Sequence, residues 1–454
     1  MADKEKTSAL LCGFGKREIT PPLGTPIMGY YKPRYTQGVI DPLFIRAALF
    51  RDGDKSAVII SAELCMVEKE WTERVREKIA KTFDIDFEAV LINASHTHTG
   101  PLVVDDTIVG DIKADPGFTA FVEEQVFCAV SDAVQDLAPA RLFTAETQAK
   151  GISFVRRYRM KDGRFATNPA PSTADQIDGP VGEADETLRL LIVRREGSDD
   201  VYMVNYGTHA DTVGGQYISA DWPGYLCTYL EGAIPGIKCM FLLGAQGDVN
   251  HFTPYLPNRG RVMSEKHKED FREKAAHARY MGRVLAGHVL QICDRAEEIG
   301  NEGIVFATAE MRLPTNRITE GLEEAQKLNE LYLTGDWKAA GYSQTDVAGA
   351  RRLIRLYNAP PFFTFTANAL RIGDFVLVAG PGEAFTDIGR RTYAASPFKH
   401  TMVCCMTNDY GGYIATSNAY GEGGYEASTS NFKQGADDAY VEAMVAALQN
   451  LKEK

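Results

Sequence analysis

The chain predicts an α/β fold, with mixed β-sheets flanked by helices in a single large domain and a site gathered at strand ends. Short apolar runs of strand character alternate with helix-period segments along the whole length. No repeat, low-complexity tract or Pro/Ser-rich linker divides the 454 residues, and a hydrophobic content of 44% is ample for one continuous core. The loops after the apolar runs carry the unusual polar residues, which is where open α/β sheets collect ligands.

In order, Ala47–Phe50 and Ala57–Ser61 read as strands, Glu70–Phe83 as an amphipathic helix, Val90–Ala94 as a buried strand and Phe118–Leu137 as a helix. Leu188–Arg194 and Val201–Tyr206 read as a hairpin turned by Gly197-Ser198-Asp199-Asp200. A helix over Trp222–Ala233 and a buried strand over Cys239–Gly244 follow. Residues 258–270 are charged and read as a surface loop before a long helix at 271–297. The stretch 319–357 is helical and rich in charge and tyrosine, without metal-ligating residues at suggestive spacing, and reads as scaffold or a substrate-side cover. Strands at Phe362–Leu370, Phe375–Ala379 and Met402–Met406 and helices near 384–395 and 435–451 complete the pattern.

A net charge of −12 argues against nucleic acid or an anionic membrane surface as partner, since both favour clustered Lys and Arg. The polar start, Met1 to Thr7, is not a secretory signal, and no stretch approaches the roughly 20 apolar residues of a membrane span. Cysteines 12, 65, 128, 227, 239, 293, 404 and 405 lack zinc-knuckle or redox spacing and read as reduced core residues. The expectation is a cytoplasmic enzyme with a small-molecule substrate.

Chemistry concentrates first in His96-Thr97-His98-Thr99-Gly100-Pro101, after the Val90–Ala94 strand. Residues two apart in an extended segment point the same way, so His96 and His98 address one site. Other strand ends add His209 and Asp211, then Asp221, then Asp248, then Pro381-Gly382-Glu383, then Tyr413, with Tyr425 further on. Each has a plainer role: Asp221 and Glu383 precede helices and suit caps, Asp248 suits a turn, and a tyrosine among glycines suits packing. His251, His267, His277, His288 and His400 read as structural. Together, two histidines, a carboxylate and a tyrosine suit one borderline ion such as Zn²⁺. His98, with an ordinary pKa near neutrality, suits proton transfer, and Asp248 or Asp211 suits orienting a ligand imidazole.

From Gly13-Phe14-Gly15-Lys16-Arg17-Glu18-Ile19-Thr20-Pro21-Pro22 to the Tyr425 segment, the chain resembles the neutral, non-lysosomal ceramidases, zinc amidases that cut the N-acyl bond of ceramide. The most specific motifs are Thr97-His98-Thr99-Gly100-Pro101 with His96, Pro381-Gly382-Glu383, and the Tyr413 to Tyr425 interval. The resemblance implies one zinc ion held by His96, His209, Glu383 and Tyr413. It also implies that His98 and Tyr425 face the reacting bond, with Arg156, or its neighbour Arg157, as the substrate-side arginine. Residues 1–454 are then expected to form a single catalytic domain, without the C-terminal β-sandwich-like domain of the family. That difference, the absence of an export signal and the glycine-rich run Tyr420-Gly421-Glu422-Gly423-Gly424 point to an N-acylated or lipid-like substrate smaller or more polar than ceramide.

The expected reaction is amide hydrolysis by metal-activated water. The alternatives are a metal-dependent lyase or isomerase, or a lactone or ester hydrolase, acting on a sugar or hydroxy-acid derivative. A TIM-barrel amidohydrolase, which also carries His-x-His after a strand, and a non-catalytic binding protein complete the set.

Overall fold

The structure, a computed structural model, describes residues 10–105, 112–255 and 275–454. The expected surface loop at 258–270 and His267 lie outside the described residues.

Eight strands run through a nine-stranded sheet: β1 (Leu11–Glu18), β2 (Phe44–Asp52), β3 (Lys55–Ala62), β4 (Val90–Ala94), β5 (Ala138–Gln148), β6 (Thr187–Arg195), β7 (Asp200–Tyr206) and β8 (Ile237–Leu243). Their order is β8-β7-β6-β5-β1-β2-β3-β4, and the short strand Glu297–Ile299 also pairs with β5. Neighbours are antiparallel except β3–β4 and β7–β8. Both parallel pairs are joined by crossovers holding a helix, α1 (Lys69–Phe83) in the first. The predominance of antiparallel pairing overturns the TIM-barrel alternative, which requires a closed parallel sheet.

Helix α2 (Pro116–Gln135) starts where Asp115 accepts from the Gly117 and Phe118 amides, with Pro116 in the first turn. It lies on β1 and β2 so closely that a Cβ on Gly13 would sit 1.8 Å from the Ala133 carbonyl oxygen, and one on Gly15 1.9 Å from that of Ala129. The glycines of Gly13-Phe14-Gly15 are therefore a packing requirement. In the second crossover, α3 (Asp221–Ala233) packs on α4 (Ala276–Ile292), the described part of the long helix expected at 271–297.

A four-stranded sheet, β9 (Ile304–Pro314), β10 (Phe362–Ile372), β11 (Phe375–Ala379) and β12 (His400–Cys404), is antiparallel in its first two pairings and parallel in the last. Between β9 and β10 the expected helical stretch 319–357 is two helices, α5 (Leu322–Thr334) and α6 (Gln344–Tyr357), the second begun by a Ser343/Asp346 capping box. They share a small apolar cluster of their own around Leu328 and Val347. Helix α7 (Thr386–Ala395) joins β11 to β12, and α8 (Ala436–Glu453) covers β9 and β10.

The segment after β12 joins the two sheets. Cys405 N donates to Leu243 O (2.9 Å), Asn408 N donates to Ile92 O (2.9 Å), and Ala94 N donates to Met406 O (3.0 Å). Asn93 reinforces the seam, accepting from Leu243 N (2.9 Å) and donating to Cys405 O (2.6 Å). The ends of β4 and β8, the outer strands of the large sheet, thus meet at residues 405–408. All eight cysteines are free, and all but Cys128 are buried. Among the described residues no helix is long and apolar enough to cross a membrane.

Candidate metal centre

Two residues past β4 the chain turns through a left-handed conformation at His96 (φ 66°), with His96 N donating to Leu64 O (2.9 Å). Side-chain alternation along an extended segment is therefore not what brings His96 and His98 together. The turn does so, leaving their Nε2 atoms 3.2 Å apart. His96 Nδ1 lies 2.7 Å from the Cys65 carbonyl oxygen. A carbonyl can only accept, so Nδ1 carries the hydrogen and Nε2 presents its lone pair to the centre.

His209 follows β7 and has the same logic. Its Nδ1 lies 3.0 Å from Gln246 O and 2.9 Å from Val249 O, and Trp222 Nε1 donates to its carbonyl (3.0 Å). Expected orienting roles for Asp248 and Asp211 are corrected here, since backbone carbonyls hold both imidazoles. Asp248 instead accepts from Thr386 N (2.7 Å) and Oγ1 (3.0 Å), and Asp211 accepts from the Tyr30 hydroxyl.

Glu383 is not a helix cap. It lies in a two-residue strand, Glu383–Ala384, paired in parallel with Tyr413–Ile414, so that Glu383 and Tyr413 stand side by side. Gly247 passes behind it where a Cβ would sit 2.3 Å from the Glu383 carbonyl oxygen. Glu383 Oε1 accepts from the Tyr410 hydroxyl (3.0 Å). Its Oε2 is buried without a hydrogen-bond partner, 3.3 Å from His96 Nε2 and 3.1 Å from His209 Nε2. The Tyr413 hydroxyl lies 3.4 Å from His209 Nε2.

Two nitrogen lone pairs, an orphaned carboxylate oxygen and a phenol thus converge, with the His96, His209 and Glu383 donor atoms within 4.8 Å of one another. This donor set fits a divalent cation. Cys65, His96 and His98 also cluster, but the Cys65 thiol faces His96 Nδ1 (3.9 Å), a nitrogen committed to a carbonyl. Without a cation, burial would push Glu383 up, yet His96 and His209 hold it well below the usual carboxylate range. Burial would lower His96, yet Glu383 raises it well above the usual imidazole range. Burial and the Arg156 guanidinium lower His209 to about 4.

His98 departs from the expected near-neutral value. Burial and the neighbouring His96 hold it well below the ordinary range, so its imidazole is neutral at physiological pH. Its ring packs on Tyr30 with centroids 5.5 Å apart, and its Nδ1 lies 3.9 Å from Asp211 Oδ1.

Of the two candidate arginines, Arg156 reaches the centre. Its Nη1 lies 3.3 Å from His209 Nε2, its Nη2 donates to Gly247 O (2.8 Å), and its Nε is 2.6 Å from Glu426 Oε1. Arg157 turns away to Glu422 (3.0 Å) and the Gly423 carbonyl (2.8 Å). Tyr425 stands further out, 40% exposed, with its ring 5.7 Å from that of Tyr413 and its hydroxyl donating to Tyr31 (3.3 Å).

Of these groups, His96, His98, Glu383, Tyr410, Tyr413 and Tyr425 line a cavity of about 940 Å³. Tyr30 and Tyr31 also line it, and from the 319–357 stretch α6 contributes Arg352 and Arg355. Sequence reasoning missed Tyr410 and Glu426. Both neighbour residues it singled out, and only the fold shows that each holds a charged side chain of the site.

His251 and His277 pack at a tilt with centroids 5.2 Å apart, and burial and His277 lower His251 to about 3, in keeping with structural roles.

The sequence profile of the neutral/alkaline non-lysosomal ceramidase N-terminal domain matches residues 10–241. The fold is similar to that of neutral ceramidase from Pseudomonas aeruginosa, with a TM-score of 0.75 at 18% identity over 98% of this chain and 75% of that one. A structure of ceramidase complexed with C2 gives a TM-score of 0.73 at 17% identity over 98% of this chain and 76% of the other. With a profile spanning half of its length and this fold, the chain belongs to the neutral/alkaline non-lysosomal ceramidase family.

Proposed function

We propose that the chain is a zinc-dependent amide hydrolase acting on an N-acylated substrate smaller or more polar than ceramide. The observation that carries this is the buried, unpartnered Glu383 Oε2 facing two imidazoles whose tautomers are fixed by carbonyls, with the neutral His98 beside them. His96, His209, Glu383 and Tyr413 would hold the ion. Bound there, zinc supplies Lewis acidity and lowers the pKa of water to roughly 7.

His98 Nε2, turned towards the centre, takes the proton of the attacking water and delivers it to the departing nitrogen. Addition of water across the C–N bond then gives a carboxylic acid and an amine. The Arg156 guanidinium, 3.3 Å from His209 Nε2, and the Tyr425 hydroxyl would balance negative charge on the carbonyl oxygen. Glu426 fixes Arg156. Charged side chains on the cavity wall support a substrate more polar than ceramide.

The test pairs metal analysis with product mass spectrometry in heavy-oxygen water. His96→Ala and His209→Ala are expected to lose zinc and turnover together, while His98→Ala keeps zinc and loses about 10²- to 10⁴-fold in rate. Wild type is expected to place one solvent oxygen in the acid product. Product formation without solvent oxygen would transfer the site to lyase or isomerase chemistry, and equal zinc loss in all three variants would remove the separate role of His98.

A further inference from the structure

Helix α6 brings two cations to the cavity that the chemistry above does not use. Arg352 and Arg355, one turn apart, both line it. Nε and Nη1 of Arg352 and Nε of Arg355 are shut off from solvent without a hydrogen-bond partner among the described residues. Arg355 Nη2 donates to Asn431 (2.8 Å). Both side chains are half-buried, and N–H donors shut off from solvent are normally matched, because leaving them unmatched is costly. Burial lowers both, and Arg352 lowers Arg355 further.

Other charges on the wall do not cancel this pair. Arg74 is matched by Glu123 (2.9 Å) and Asp105 by Lys113 (2.8 Å). Glu68 partly offsets Arg355, and Glu70 is exposed. The position relative to the centre is also defined. Arg352 and Arg355 line the same cavity as His96, His98 and Glu383, together with Tyr425 and with Tyr410, which donates to Glu383. Both guanidinium groups thus share one cavity with the reacting floor.

We propose that Arg352 and Arg355 form an anion subsite, and that the amide cleaved carries a carboxylate, sulfonate or phosphate a few bonds from the scissile C–N bond, as an N-acyl amino acid does. This rests on the amide-hydrolase function proposed above. The planar donor forks of two arginines suit such an oxyanion better than the hydroxyls of a neutral lipid amide.

Calorimetric binding and turnover of N-octanoylglycine, N-octanoyltaurine and the neutral N-octanoylglycinamide provide the test, with binding measured in the His98→Ala protein to suppress cleavage. The charged ligands are expected to bind about 10- to 100-fold more tightly than the neutral one. Arg352→Met should abolish that preference, and Arg352→Lys should restore part of it without changing the melting temperature. The glycine and taurine arms separate a carboxylate from a sulfonate preference. Equal affinity for charged and neutral ligands, or a preference that survives joint replacement of both arginines by Met, would overturn the subsite. Arginine-dependent binding with no cleavage of any amide would keep the subsite and remove amide hydrolysis; equal cleavage of charged and neutral amides would do the reverse.

Discussion

Replacing Asp221 with alanine should damage the metal centre from a distance. Asp221 is fully buried, in a left-handed conformation (φ 57°), and its carboxylate accepts from Thr212 N (2.8 Å), Thr212 Oγ1 (2.6 Å), Val213 N (2.9 Å) and Trp222 N (2.6 Å). These bonds tie the His209 loop to the start of α3, and the Trp222 indole completes the tie at the His209 carbonyl. Alanine strands three backbone donors. At about 1–3 kcal/mol each, offset by water entering the vacated space, the loss comes to roughly 4 kcal/mol. If 454 residues unfold as one unit, unfolding entropy is about 1 kcal/mol per degree, so the melting temperature should fall by about 4 °C. Loosening of His209 should also weaken the proposed zinc binding about tenfold, as loss of a support to a ligand imidazole does. Differential scanning calorimetry and competition with a zinc chelator read the two effects. A variant melting within about 1 °C of wild type, with unchanged zinc affinity, would refute the coupling between this carboxylate and the centre.

Other substitutions probe separate parts of the molecule. Burial pushes Asp248 up from 3.8 to about 6 in spite of its Thr386 hydrogen bonds, so its stabilising protonated form is fully present below pH 3.8 and lost as pH rises through about 6. The stability of wild type relative to Asp248→Asn should therefore fall by roughly 2 kcal/mol between pH 4 and 7, and parallel pH profiles in denaturant titrations would contradict the assignment. Arg156→Met should reduce kcat about 10²- to 10³-fold with zinc retained and lower stability by leaving Glu426 short of a partner. Adding Glu426→Gln should recover the melting temperature but not the rate; recovery of both would make Arg156 purely structural. Gly13→Ala should cost several kcal/mol or prevent folding, because its Cβ meets the Ala133 carbonyl at 1.8 Å, and a variant with wild-type melting would show that α2 can withdraw from β1.

The local elements were legible because their signals are local. Val90–Ala94 is apolar at every position but Asn93, and the Gly197–Asp200 turn marks the hairpin on both sides. Sheet order was not, since β5 must find β6, β1 and Glu297–Ile299, and no residue pattern specifies such distant partners. At the site, the structure brings His96, His209, Glu383 and Tyr413 together. The means differed: a left-handed turn replaced strand alternation, and carbonyls, which leave no trace in residue type, replaced the expected aspartates. The low basicity of His98 follows from burial beside His96, which spacing alone does not reveal. Arg156 and Arg157 are adjacent, and only the fold decides which one meets His209.

The seam at residues 405–408 sets a timetable for synthesis. As the chain leaves the ribosome, β4 and β8 are complete long before the segment that joins their ends exists. A nascent protein paused after residue 300 holds both imidazoles but neither Glu383 nor Tyr413, and Asn93 has not yet met Cys405. Closing so long a loop is slow, which makes it a late event. The centre is therefore completed after the large sheet, once residues 383–413 have been made.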